Sequence, residues 1–537
     1  MMNNPQGRLS VVLSVWLAAA PLGAQNQTPP QNPPPGSKPT FTLADALLTT
    51  LENHPLLRIQ EQQVNISRAL RQQATGQFDT VISSGVGQRR ILTGLTALQR
   101  LQALGSGIDA NQQATNLTNF SASGSKLFRN GISISPGMDV DRTTDNLVNS
   151  SGLNQSRFSF LVNIPLLRGR GAAVVAARET SAGLDIEASL FDLNQTVAEL
   201  LVNTATSYWN AVAAERQFDV AVGSEDRGRV FVENVRALID ADKVPRNEIN
   251  QVLANFADRT STRIAAVQRV VDARQALALA MGLTAEQMAA IGRPVDPIPN
   301  GDGAVAPSVE PNALQAYIQL ALSRRADVLA ARKRIESTEV LRGAAKNLIL
   351  PQIDLQLSSG YSGLREGTGL QRYAMIPLQG LHGPDAAAGL SYRFPPSNNV
   401  ARGQLAQAEA SVRQAQLFVQ DASRNVSASV VVSAQGVRNA LDRLAKARES
   451  VSFYQTALDG EREKFRIGVG SLVDTLTIED RLTGALSSLV NAELSYATAL
   501  ARFRFATGTV VAPNQTVQSV DGNLFLNLPE EARPKQP

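Results

Sequence analysis

Apolar residues recur every three to four positions over stretches longer than an ordinary domain uses. Between 398 and 466, Leu405, Ala408, Val412, Ala415, Val419, Ala422 and Val426 keep this spacing, and Val430, Ser433, Val437, Ala440, Leu444, Ala447, Val451, Tyr454 and Leu458 carry it on. The four-residue steps on either side of Val426 form an eleven-residue unit, which relaxes a left-handed supercoil toward straight helices. The spacing predicts one helix over 398–466 and another over 172–240, each of ~70 residues and on the order of 100 Å. Shorter helices of ~40 residues follow sharp turns near Val244 and Val469, at 246–282 and 471–507. Two more precede the polar-apolar alternations: 41–76, with Thr42 as N-cap and a kink at Pro55, and 312–347.

Between these helices the period drops from 3.6 to 2. Thr80 to Gly87 and Ile353 to Tyr361 read as outgoing strands, and Arg157 to Pro165 (Phe158, Phe160, Val162 and Ile164) and Ala388 to Pro395 as returning ones. The strand regions are 80–165 and 353–395. The first holds an additional hairpin-like pair, Asn119 to Leu127 and Gly131 to Asp141, turned at Arg129-Asn130-Gly131. Its place in the sheet is left open by the alternation alone.

The whole pattern occurs twice. Gly508 stands 226 residues beyond Gly282, and at that offset Leu200, Ala214, Phe218, Ala221, Ala273 and Leu277 fall on Val426, Ala440, Leu444, Ala447, Ala499 and Phe503. At an offset of 271, Leu43, Leu47, Leu51, Leu70, Arg71 and Ala74 fall on Leu314, Ile318, Leu322, Leu341, Arg342 and Ala345. The expected organisation is a first repeat at 41–283, a linker at 284–311, a second repeat at 312–509 and a tail at 510–537. A short helix from the start of a repeat stacked on one from its end about equals one long helix.

Composition adds the compartment. Met1 to Gln25 carries Arg8, an apolar run and Leu22-Gly23-Ala24, which predicts a signal peptide over 1–24; a Pro-rich linker over 25–40 follows. No later run is apolar enough for a spanning helix, so if the chain meets a membrane, strands or a surface must make the contact. The chain has no cysteine, which removes disulfides and thiolate metal sites. A net charge of +4 from 51 basic and 47 acidic residues, dispersed along the chain, gives no nucleic-acid footprint. His54 and His382 are the only histidines and neither has a second ligand at metal spacing. Arg168-Gly169-Arg170-Gly171 lacks the continuation of a phosphate loop. No cofactor, metal or catalytic constellation is expected, and the chain reads as a non-enzyme.

Several motifs together resemble the TolC-type outer-membrane efflux protein family. They are Leu43-x-x-Ala46-Leu47 with Asn53-His54-Pro55, the run Ile164-Pro165-Leu166-Leu167-Arg168-Gly169, and above all Phe465-Arg466-Ile467-Gly468-Val469-Gly470-Ser471-Leu472-Val473-Asp474-Thr475-Leu476. The resemblance implies a mainly α fold with transmembrane β: a long antiparallel coiled-coil α-barrel subunit whose strands join a trimeric outer-membrane β-barrel. It further implies a homotrimer in outer-membrane lipid that reaches into the periplasm, a periplasmic adaptor protein and inner-membrane pump as partners, and passive export of small molecules or proteins. A periplasmic coiled-coil scaffold without a pore is the alternative.

The candidate site is the pair of helical tips. In the second repeat it comprises Phe465, Gly468, Gly470, Asp474 and Thr477; in the first, Lys243, Pro245 and Glu248. The resemblance places Asp474 at a closed periplasmic mouth, where three copies form a carboxylate ring; the simpler alternative is a solvated acid favoured by the helix N-terminus. Thr477 stands where relatives often carry a second acid, Gly470 where some carry Arg, and Phe465 where Tyr is usual. The first tip has Asp242 opposite Gly468 and thus lacks the turn glycine, and Glu248 aligns with Asp474.

Overall fold

The computed structural model of the chain describes residues 40–242, 244–289, 292–302, 306–368, 381–467, 469–511 and 522–529. The signal peptide expected at 1–24, most of the linker expected at 25–40, Lys243, Gly468, the side chain of His382 and most of the tail lie outside them.

The first half runs β1 (Thr40–Phe41), α1 (Leu43–Asn53), α2 (Pro55–Thr75), β2 (Val81–Gly94), α3 (Ala97–Gly105), β3 (Gln112–Leu127), β4 (Ser133–Asp145), β5 (Leu153–Pro165), α4 (Ala172–Val175), α5 (Ala177–Asp240) and α6 (Ile249–Ala280). After α7 (Ala285–Ala289) and β6 (Arg293–Pro294) come α8 (Pro311–Arg324), α9 (Ala326–Asn347), β7 (Gln352–Glu366), β8 (Leu381–Arg393), α10 (Asn399–Arg466) and α11 (Leu472–Ala506).

The 64 residues of α5 and 68 of α10 give each a length of about 100 Å. In the upper half α2, α5, α9 and α10 lie side by side in that order; in the lower half α6 replaces α2 and α11 replaces α9. The result is a ribbon four helices wide in which two short helices lie along each long one. Two large clusters form most of its core. One surrounds Trp209 and Tyr208, whose rings meet edge-on at 5.2 Å, with Leu47, Leu201, Leu277 and Phe525; the other surrounds Phe503 and Tyr317, edge-on at 5.6 Å, with Val430, Val437, Leu444 and Leu500.

Several details differ from the sequence expectations. The helix expected at 41–76 is two helices, because His54 is extended and its Nδ1 accepts the Leu56 N–H at 3.2 Å ahead of Pro55. The helix expected at 312–347 is also broken, at Arg325, where no proline announces it. Both breaks share one neighbour type: Gly282 (φ +73) lies against the backbone of His54, and Gly508 (φ +67) against that of Arg324 and Arg325. Arg325 then pairs with Asp327 at 2.7 Å and stacks on Phe505. The segment 172–240 breaks at Ala176, and 246–282 begins with a 3-10 turn, Arg246–Glu248. Within the expected linker, β6 pairs in parallel with β1 and Ile298 is buried; within the expected tail, Phe525 and Leu528 are buried in the two cores.

The strands are longer than the alternation suggested, and the additional hairpin, β3 and β4 turned at Gly131 (φ +95), is part of the sheet. One antiparallel sheet of six strands results, in the order β2-β3-β4-β5-β7-β8. Its register separates two faces. One carries Ile82, Val86, Phe120, Ala122, Met138, Val140, Phe158, Phe160, Val162, Leu355, Leu357, Tyr361, Leu390 and Tyr392; the other carries Asn119, Ser121, Asp139, Asp141, Arg157, Ser159, Ser358 and Asp385. On the polar face Arg157 pairs with Asp385 at 2.8 Å.

A methyl group at Gly508 would lie 3.0 Å from the Arg325 nitrogen in a backbone conformation that disfavours side chains. Gly508→Ala is expected to cost about 2–4 kcal/mol. Gly484, inside α11 with open space around it, gives the opposite sign on Gly→Ala, a gain of about 1 kcal/mol or less. Thermal melting of the two variants beside the parent checks both.

Candidate functional site at the helical tips

Both long helices end in tight reversals built by different residues. In the first, Asp242 adopts φ +52, the left-handed conformation that a short polar side chain tolerates better than most. The first-repeat tip thus turns without the glycine that its sequence lacks. Pro245 (φ −59) then accepts the Glu248 N–H at 3.1 Å, and the half-buried Glu248 leads into α6. In the second, the N–H groups of Val469 and Gly470 both donate to the Lys464 carbonyl at 3.0 Å, and the Ser471 hydroxyl caps α11 by accepting the Val473 N–H at 3.2 Å. A β-carbon on Gly470 would sit 2.7 Å from the Phe465 nitrogen and 3.0 Å from the Lys464 carbonyl carbon, so the chain returns over its own helix only with glycine there.

The two reversals share one small core of Val232, Val235, Val252, Leu472 and Leu476, closed by Phe231 against Phe465 with ring centroids 5.7 Å apart. Phe465 is therefore a packing residue that joins the tips. Asp474 and Thr477 are exposed on α11, and the Thr477 hydroxyl donates to the Val473 carbonyl at 2.7 Å. Glu461, at 2.6 Å, raises the pKa of Lys464, with a smaller contribution from the charge of Asp474.

Just above this core lies the most concentrated charge cluster of the tips. Glu479 of α11, only 5% exposed, accepts from Arg227 of α5 and from Arg462 of α10 at 2.9 Å, and Arg259 of α6 lies 3.6 Å away. Arg259 is itself buried, bonds Asp480 at 2.9 Å and donates to the Ser224 carbonyl at 3.2 Å. One carboxylate thus joins all four helices. Higher up, Glu215 receives Arg274 and Arg293, and Glu493 receives Arg216.

Residues 317–509 match the family described as outer membrane efflux protein. The chain is 21% identical over 363 residues to the outer membrane protein TolC of Escherichia coli (strain K12), covering 64% of this chain and 72% of TolC. Among solved structures it is similar to the Campylobacter jejuni CmeC outer membrane channel (TM-score 0.61, 13% identity, 91% of this chain and 90% of that one). It is also similar to the outer membrane protein VceC from Vibrio cholerae (TM-score 0.60, 15% identity, 87% and 96%). The second half of the chain thus carries the match to the outer membrane efflux protein family, and the fold as a whole is similar to that of solved outer membrane channels. The chain's place is the outer membrane, with extension into the periplasm.

Within this fold, the two tips meet through Phe231 and Phe465, while Asp474 and Thr477 stand on the exposed side of α11 and the half-buried Glu248 stands at the N-cap of α6. Motif reading passed over Glu479. Its signal was nonetheless present: Leu472, Leu476, Glu479 and Leu482 continue a 3-4 apolar seam in which the third position is an acid, and such an acid must find buried cations. No cluster of potential metal ligands occurs among the described residues.

Glu479→Gln leaves three guanidinium groups facing one another without their shared carboxylate. Destabilisation of about 3–5 kcal/mol is expected, read as a lower melting temperature, with part of the loss recovered in high salt, which screens the remaining repulsion.

Proposed function

We propose that three copies of this chain close side by side into a single passive conduit through the outer membrane and periplasm. The observation that carries this is a match of open edges. Among the described residues, β2 and β8 each have a sheet neighbour on one side only. In the helical ribbon the outermost members on the same two sides are α2, which leads toward β2, with α6 below it on the same side, and α10, which follows β8. Those outer helices carry exposed apolar rows: Leu56, Ile59, Ile66 and Leu70 on α2, Ile264, Val267 and Val271 on α6, and Val400, Leu417, Phe418, Val432 and Phe453 on α10. Of the upper seam of α10, Val412 alone is fully buried within the subunit between residues 402 and 425.

A strand edge left open in lipid strands backbone donors and acceptors, and barrel closure is the remedy. Joining β8 of one copy to β2 of the next removes every edge and covers both apolar helix rows by one operation. Three subunits of six strands make a barrel of about eighteen, a size at which the interior is an aqueous channel. The two-faced register supports this reading, with apolar side chains toward lipid and Asp139, Asp141, Arg157 and Asp385 toward the lumen.

In this reading the tips form the periplasmic mouth, where a periplasmic adaptor and an inner-membrane pump dock and supply the energy. Asp474, exposed in the first turn of α11, contributes one carboxylate per subunit to a ring on the threefold axis, and such a ring concentrates cations. Purified protein in a planar bilayer is expected to give discrete channels blocked from the periplasmic side by multivalent cations. Asp474→Asn weakens that block by about fivefold or more, since like charges gathered on one axis act together. A preparation without conductance refutes the conduit; unaltered block in the variant refutes the ring alone.

A further inference from the structure

We infer that the outward rim of the apolar sheet face is a binding site for the phosphate groups of a phosphorylated glycolipid in the outer leaflet. This rests on the barrel reading above, which turns that face to lipid. The inference comes from where charge falls in the register. Among the strand residues of the apolar face there is no Asp or Glu; all the strand acids, Asp139, Asp141, Asp145, Asp354, Glu366 and Asp385, fall on the other face. Four cations do occur on the apolar face, and only at its ends. Lys126 lies at the end next to the helices, and Arg90, Arg142 and Arg365 lie at the far end.

Arg142, Asn154 and Arg365 are direct neighbours across β4, β5 and β7, which sets the two arginine α-carbons about 10 Å apart. Arg90 belongs to the next row outward, level with Asn116 and Thr144. The three guanidinium groups form no ion pair with a carboxylate among the described residues. Arg142 donates to the Thr368 carbonyl at 3.2 Å, which holds its side chain over the rim.

The distance from the helix side fits the thickness of a membrane. Along β5, Ile164 to Asn154 spans about 34 Å of strand, which a tilt near 40° reduces to about 26 Å, the height of an outer-membrane apolar band. The arginines therefore stand at the level of outer-leaflet headgroups. Arginine forks bind phosphate oxygens in pairs, and a carboxylate-free surface is what a polyanion requires. Beyond Arg90 the same hairpin continues into α3, whose Leu98, Leu101 and Leu104 are exposed along one side at helical spacing. Such a helix lies in a membrane interface with its leucines toward acyl chains. Apolar area and cationic rim thus match the two halves of one lipid.

The test uses the intact purified protein with diphosphoryl lipid A, the same lipid after removal of its phosphates, and inorganic phosphate. Binding is read by native mass spectrometry and by the temperature at which the oligomer dissociates. Diphosphoryl lipid A is expected to remain bound and to raise that temperature. Arg90→Gln with Arg142→Gln and Arg365→Gln weakens its binding about tenfold or more while single-channel conductance stays at the parent value. Lys at the same three positions, which keeps the charge but not the paired geometry, restores part of the affinity, so that a loss in the Gln variant is distinguished from misfolding. Equal binding of the dephosphorylated lipid, displacement by inorganic phosphate at lipid-like concentrations, or full affinity in the Gln variant overturns the site. A wild-type protein that conducts normally yet shows no phosphate preference overturns this inference and leaves the barrel standing; absence of conductance and oligomer removes the barrel first.

Discussion

Backbone hydrogen bonding at the two free strand edges is the constraint on which the rest of this architecture turns. β2 offers 14 residues and β8 offers 13, each paired on one side. A water-soluble protein can leave such edges wet, but a sheet in hydrocarbon cannot, because each unsatisfied peptide group costs several kcal/mol there. The number of open groups far exceeds what any side-chain contact offsets. In the conduit proposed above, closure between copies is therefore demanded by the strands before the helices are considered, and the helices must be compatible with it.

That compatibility explains the dimensions of the helical ribbon. A helix entering the sheet at one edge and another leaving at the opposite edge must present faces that fit each other in the next copy, and the exposed rows of α2, α6 and α10 lie on those edges. Length must match too: a pair of stacked short helices spans one long helix only if their ends fit without overlap. Gly282 and Gly508 set the joint, since each brings the end of a lower helix against a break in an upper one, with backbone approaching backbone too closely for any β-carbon. The duplicated sequence thus uses the same glycine at the same mechanical position twice.

Long-range periodicity made much of this legible. Helical seams, the sharp reversals, the strand regions and the opposition of Gly282 to Gly508 are all local signals repeated at fixed offsets. What stayed hidden depended on contacts distant in sequence. The break at Arg325 has no proline and lies against Gly508 and Phe505; the burial of Phe525 depends on a cavity supplied by helices hundreds of residues earlier. The β3–β4 hairpin alternates weakly because polar Asn116, Thr118 and Thr144 also stand on its apolar face, so its place in the sheet follows from pairing and not from pattern. At the tip, Phe465 was read for the hydroxyl it lacks, whereas its ring is what binds the two reversals together. Glu479 lay in a seam and was invisible to motif reading because its three arginines come from three other helices.

The ion node at Glu479 gives the lower bundle something the small-residue seams do not. Alanine and valine rows pack nearly as well after a slip of one heptad, because each shifted knob meets another residue of the same size. A carboxylate held by Arg227, Arg259 and Arg462 has no equivalent partner one heptad away, so a slip of any of the four helices strands buried charge. Net stabilisation from such a node is small against an apolar replacement, but its discrimination between registers is large. It stands immediately above the core containing Leu472, Leu476 and Phe465, where the chain has only short turns to hold its alignment. The axial position of Asp474 is thereby fixed relative to the outer helices by a charge five residues further into the same helix, and three identical nodes would set three carboxylates at one height.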